Sequence, residues 1–177
     1  KDLSVEDILI RSSNIGTLML ARKIGKTDYK QFIKETKLLS APDFELEEIG
    51  TPLTFKWDKC KLETISYGHG IAVTPLQATS TYAALVNGGN FIKPTIIRNN
   101  NIKKIKKIIS SNTSKKINKI LRKVVTEKNG TASLANIYGY EVGGKTGTSQ
   151  KYGKKNENLN TFISIFPAYN PKYALLV

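Results

Sequence analysis

Lys145-Thr146-Gly147-Thr148 is the densest run of chemistry-bearing residues in this 177-residue chain. A lysine and two hydroxyls leaving an extended segment make an edge that binds a carboxylate. The ammonium supplies charge and the hydroxyls supply directional donors. Gly143, Gly144 and Gly147 strip side chains from the same stretch, so a peptide substrate can approach its backbone and be recognised by strand addition. Alone, Lys-Thr-Gly fits an ordinary strand entry equally well. Ser12-Ser13-Asn14 is the second candidate. A serine hydroxyl and an asparagine amide two residues apart can point into one cleft, one to relay a proton and the other to hold a substrate carbonyl. The bland alternative is that Ser12 or Ser13 caps a helix starting near Asn14. The same tripeptide recurs at Ser110-Ser111-Asn112, ahead of a lysine-rich helix, and there it reads as a cap only. Cys60 and His69 are the only Cys and His. They would form a nucleophile–base pair only if the fold joined them; a half-buried thiol and a loop histidine is the simpler reading. One of each is too few for a structural zinc site, and a lone cysteine forms no intrachain disulfide.

The elements that must position these residues follow from capping and periodicity. Ser4 with Asp7 starts a short helix over 5–11. Ile15, Leu18, Met19 and Ile24 share the face of a second helix, ended by Gly25. Thr27 is expected to cap a third, with Tyr29, Phe32, Ile33 and Leu39 on its apolar side. Residues 40–61 show no clear period and read as loop with short pieces of structure. Thr74-Pro75-Leu76-Gln77 is the clearest start signal: Thr74 caps, Pro75 loses nothing by lacking an N–H, and Gln77 reaches back to the cap. That helix runs to Gly88 and Gly89. A strand is expected over 91–98, and an amphipathic helix over about 114–127 on Ile117, Ile120, Leu121, Val124 and Val125. Val142 to Thr148 is extended. Residues 161–166 and 172–177 form an antiparallel hairpin about Asn170-Pro171. Helices first and strands last make the chain α+β.

The net charge is +14, with lysines dense over 103–123. Such a field suits an anionic partner. The lysines there have no interleaved aromatics for stacking bases, and Lys, Asn and Ile are abundant together, so compositional bias is favoured over nucleic-acid binding. No apolar run reaches the roughly 20 residues of a membrane-spanning helix.

The ordered set carries more than any single motif. Ser12-x-Asn14 is followed by Ser66-Tyr67-Gly68-His69-Gly70-Ile71-x-Val73-Thr74-Pro75-Leu76-Gln77, then Asn87-Gly88-Gly89, Gly130-Thr131-Ala132, and Gly144-Lys145-Thr146-Gly147-Thr148. Over almost its whole length the chain resembles the penicillin-binding transpeptidases of bacterial cell-wall synthesis, whose motif trio is Ser-x-x-Lys, Ser-x-Asn and Lys-Thr-Gly. The continuation Ser149-Gln150-Lys151 resembles the class B, monofunctional pattern. Ser-Ser-Asn with Tyr-Gly-His-Gly-Ile resembles the cell-division type more than the elongation type, which more often carries an acidic residue at the place of Asn14.

The resemblance implies a β-lactamase/transpeptidase-like fold, an antiparallel sheet with helices on both faces. It implies D,D-transpeptidation of peptidoglycan stem peptides through a serine acyl-enzyme, inhibited by β-lactams, at the periplasmic face of the inner membrane among cell-division proteins. No metal or cofactor is implied. Ser12 would relay a proton toward the leaving nitrogen, Asn14 would hydrogen-bond the substrate amide, and Lys145 would supply positive potential. Thr146 and Thr148 would bind the terminal carboxylate, Gly147 lying between them, with the Thr148 N–H as one oxyanion donor. One departure is sharp: no Ser-x-x-Lys occurs in the chain. Residues 1–177 are therefore expected to be part of a transpeptidase domain, with the nucleophile upstream of Lys1 and more of the domain after Val177. Such a piece is expected to be inactive alone and prone to self-association. An elongation-type enzyme, a β-lactamase or carboxypeptidase relative, and a non-catalytic sensor or scaffold are the alternatives. On the enzyme reading, Ser12 and Lys145 should face one cleft, their tips about 3–6 Å apart.

Overall fold

A computed structural model describes residues 2–53, 55–58, 60–98, 104–150 and 157–177. Lys103, in the lysine-rich stretch, and Lys151, in the motif continuation, lie outside the described residues. The chain divides into two compact units, one made of 1–13 and 115–177, the other of 14–114.

The first unit opens with α1 (Val5–Ile10), started by the expected capping box: the Ser4 hydroxyl accepts from the Asp7 N–H, and the Asp7 carboxylate accepts from the Ser4 N–H. From Lys115 on it holds most of α6 (Ser111–Thr126), then a short 3-10 turn (Ser133–Ala135). The strands β3 (Gly143–Gln150), β4 (Asn158–Phe166) and β5 (Tyr173–Leu176) follow. They form one antiparallel sheet in the order β3-β4-β5, with Lys145 opposite Ile163 and Ile165 opposite Ala174. The core gathers Ile10 of α1, Val124 and Val125 of α6, and Ala132, with Phe162 of β4 packed against them. The expected hairpin is present, and β4 begins earlier, at Asn158.

The second unit holds α2 (Asn14–Ile24), α3 (Lys26–Glu35), α4 (Lys61–Ser66), α5 (Pro75–Val86) and the antiparallel pair β1 (Asn90–Ile92) and β2 (Lys104–Lys107). α5 forms as its start signal predicts. Thr74 accepts from the Gln77 N–H at 3.2 Å, and the Gln77 amide oxygen accepts from the Thr74 N–H at 3.0 Å. Gly89 has φ +88, and a Cβ there would lie 2.1 Å from the Ile109 carbonyl oxygen, so only glycine fits.

Two expectations are corrected. α3 starts at Lys26, with Gly25 rather than Thr27 at its N-cap. The strand expected over 91–98 stops at Ile92; beyond Pro94 the chain turns, with Glu45 accepting from the Thr95 hydroxyl and the Ile96 N–H, and Ile96 and Ile97 exposed. α4 and β2 are additions. Among the described residues no helix is long and apolar enough to cross a membrane.

Candidate active site

The end of α1 sets the first candidate side chain. Arg11 is its C-cap, and Ser12 follows in the left-handed region at φ 53. The Ser13 N–H donates to the Ile8 carbonyl at 3.0 Å and the Ser12 N–H to the Leu9 carbonyl at 3.3 Å. This crossed pair is a Schellman closure with a serine where glycine is the usual occupant. The left-handed conformation is costly for a residue with a Cβ, and it is kept here because two hydrogen bonds and the packing of Ile8 and Ile10 enforce it.

β3 sets the second. The Arg122 guanidinium of α6 donates to the Val142 carbonyl at 2.7 Å, just ahead of the strand. Gly143 lies so close to the α6 backbone at Leu121 and Arg122 that a Cβ would come within 3.2 Å of it. With its start pinned to α6, the strand carries Lys145 to Ser12. The Lys145 ammonium donates to the Ser12 hydroxyl at 2.8 Å, joining residues 133 apart in sequence. It also donates to the Thr146 carbonyl at 3.1 Å. Burial holds the Lys145 ammonium below its ordinary pKa, because the charged form loses hydration. A lysine eased toward its neutral form beside a hydroxyl is an arrangement able to pass a proton.

A third contact was not assigned from sequence. Thr131 and Thr146 share a hydroxyl–hydroxyl hydrogen bond of 2.8 Å. Thr131 is placed by the turn after α6, where the Ala132 N–H donates to the Val124 carbonyl at 3.2 Å. Gly130 in that turn is obligatory, since a Cβ would sit 2.2 Å from the same carbonyl oxygen. The Gly-Thr-Ala tripeptide was the available signal, but no chemistry could be read from it alone.

Gly147 and Thr148 lie exposed on β3, opposite Thr161 and Asn160. β3 pairs only with β4 among the described strands, so its other side is a sheet edge. The strand's glycines also have an internal reason: Cβ atoms at Gly144 and Gly147 would meet Phe162 and the Thr161 hydroxyl. Asn14 is the exposed first residue of α2, in the other unit. Cys60 is exposed rather than half-buried, and His69 is an exposed turn residue.

The family model described as the penicillin-binding protein transpeptidase domain matches residues 1–177. The chain is 32% identical to a peptidoglycan D,D-transpeptidase FtsI homolog of Mesostigma viride, over 98% of this chain and 35% of that protein. It is 33% identical to a probable peptidoglycan D,D-transpeptidase FtsI of Caulobacter vibrioides, over 96% of this chain and 30% of that protein. It thus spans about a third of the length of these curated relatives. The apo TP domain of Burkholderia pseudomallei penicillin-binding protein 3 matches with a TM-score of 0.90 at 25% identity, over 98% of this chain and 55% of that one. The α+β architecture expected from sequence is the fold of that domain.

Proposed function

We propose that this chain, which belongs to the penicillin-binding protein transpeptidase domain family, is part of a serine-type peptidoglycan D,D-transpeptidase of the class B septal kind. The observation that carries the reading is the 2.8 Å hydrogen bond from Lys145 to Ser12, which joins the family's second and third motifs at one point. The likeness to proteins named FtsI supports the septal assignment.

On this reading a serine outside these 177 residues attacks the penultimate D-alanyl carbonyl of a stem peptide and releases D-alanine. An amine of a neighbouring stem then resolves the acyl-enzyme. Ser12 passes a proton toward the leaving nitrogen, and Lys145 sets the proton affinity of that hydroxyl. Thr146 and Thr148 hold the donor's carboxylate, with Thr131 orienting the Thr146 hydroxyl through their shared hydrogen bond. Gly147 keeps the strand between them bare, and Asn14 holds the substrate amide. The Thr148 N–H serves as one oxyanion donor; losing such a donor costs roughly 10²–10³ in rate. β-Lactams acylate the same serine. The protein acts at the extracytoplasmic face of the inner membrane with other cell-division proteins.

A fluorescent penicillin tests this. The full-length protein should form an adduct that survives denaturation, and residues 1–177 alone should form none. An adduct on residues 1–177 would place the nucleophile inside them and overturn the assignment.

A further inference from the structure

The second unit contains a cleft of about 590 Å³ that the transpeptidase reading does not use. One wall is α3; the other walls include Leu39, Ser40 and Trp57. Its volume falls in the range of real binding sites. Ile33 is buried at its α3 wall, and Leu39 and Trp57 add apolar surface.

The same helix carries Lys26, Lys30 and Lys34 at four-residue spacing, hence along one face. Lys26 donates to the Trp57 carbonyl at 2.6 Å, and the Lys30 ammonium sits 5.4 Å from the centre of the Trp57 ring. Lys30 and Lys34 both line the cleft. Asp28 is the one carboxylate among the lining residues, and Gln31 there is turned to Glu35 by a 2.9 Å hydrogen bond. All three lysines are exposed. An apolar cleft with an aromatic wall and a lysine row along its side is complementary to an anionic, partly apolar ligand.

The spacing narrows the class. Four residues of helix advance about 6 Å. Two residues of an extended strand advance about 6.6 Å. A row of lysines at the first interval matches carboxylates at every second position of an extended peptide, whose intervening side chains then face the opposite way. We propose that this cleft binds an extended acidic peptide segment of a partner protein, with acidic and apolar residues alternating, the carboxylates paired to the α3 lysines and an apolar side chain against Trp57.

Fluorescence anisotropy with the full-length protein tests this. The probe is a labelled eight-residue peptide alternating Glu and Leu; controls are a Lys/Leu alternation and a block peptide of the same Glu/Leu composition. The alternating acidic peptide should bind best and weaken as salt rises. Trp57→Ala and the paired Lys30→Glu and Lys34→Glu changes should each weaken it about tenfold or more. Lys34→Gln, a single exposed change, should give a smaller loss in the same direction, so a folding defect in the double variant cannot mimic the result. Equal binding of the block or basic peptide, or affinity unchanged in Lys34→Gln and the charge-reversed protein, would overturn the proposal. Absence of peptide binding with Trp57-dependent binding of a chitin oligosaccharide would also overturn it and assign the cleft to glycan.

Discussion

The chain writes Ser-Ser-Asn twice and uses it in two unrelated ways. At Ser110 the hydroxyl accepts from the Thr113 N–H at 3.0 Å and closes the start of α6. At Ser12 the tripeptide follows the end of α1, the backbone is left-handed, and the hydroxyl accepts from Lys145 instead of from its own chain neighbours. A cap is satisfied locally, so it needs only sequence. The Ser12 contact exists only because a strand starting at Gly143 is pinned to α6. Identical residues thus take their roles from what the fold brings to them.

The largest effect expected is on rate. In the full-length protein, Ser12→Ala and Lys145→Ala should each slow acylation by a penicillin by about 10²–10⁴-fold, the usual worth of a positioned proton-transfer group. Ser110→Ala should leave the rate within about twofold, because the cap meets nothing that reacts. Stopped-flow acylation of the three variants decides it, and equal losses at Ser12 and Ser110 would erase the distinction.

A pH profile sharpens the same contrast. Burial lowers the Lys145 pKa from its ordinary 10.5. The neutral amine, which can take a proton from Ser12 during attack and return it through Ser12 to the leaving nitrogen, therefore forms at lower pH, and the acylation rate should rise with pH through a limb below 10.5. Lys145→Arg should abolish that limb. The stability sign is separate: keeping this lysine charged opposes folding below its folded pKa. That cost is relieved as pH rises from the folded value toward 10.5. Ser110→Ala should leave the limb in place.

The smallest effects are on stability, and they have opposite signs. Ser110→Ala should cost about 1 kcal/mol and Ser110→Gly only a few tenths, because a bare cap backbone still admits water. Ser12→Gly should gain roughly 0.5–1 kcal/mol by removing the left-handed penalty while losing rate as Ser12→Ala does. Urea melts beside acylation rates would show it; a loss of stability at Ser12→Gly would mean the serine side chain repays its strain by bonding.

Much of the fold was legible where the start of an element is written in side chains. Ser4 with Asp7, and Thr74 with Pro75 and Gln77, predicted α1 and α5 because each cap is closed by neighbours in sequence. α4 was not legible: its N-cap is Cys60 at φ 92, with no side-chain bond to announce it. α3 begins from Gly25, likewise without a side-chain cap, so Thr27 drew the expectation instead. β2 is lysine-rich and carries no strand pattern, and its pairing of Lys106 with Phe91 is a tertiary fact. At the site, residue types pointed to Ser12 and Lys145. The left-handed turn at Ser12 was invisible, since neither glycine nor asparagine marks it. Thr131 was in plain view yet mute, because its meaning is the hydroxyl it touches.

The first unit is built from both ends of the described chain, with residues 14–114 between its parts. On a ribosome this imposes an order. Chain emerges at about 5–20 residues per second, and domains generally fold as units, so the middle portion can settle while α1 still waits for its partners. Ser12 leaves the tunnel many seconds before Lys145 exists to meet it. A middle portion that has already settled leaves less free chain to close, which lowers the entropic cost of bringing residues 133 apart together. Ribosome-bound chains halted before β3 should then shield the 14–114 portion from protease and leave residues 1–13 open to it. The contact between Ser12 and Lys145 would be among the last made in the newborn protein.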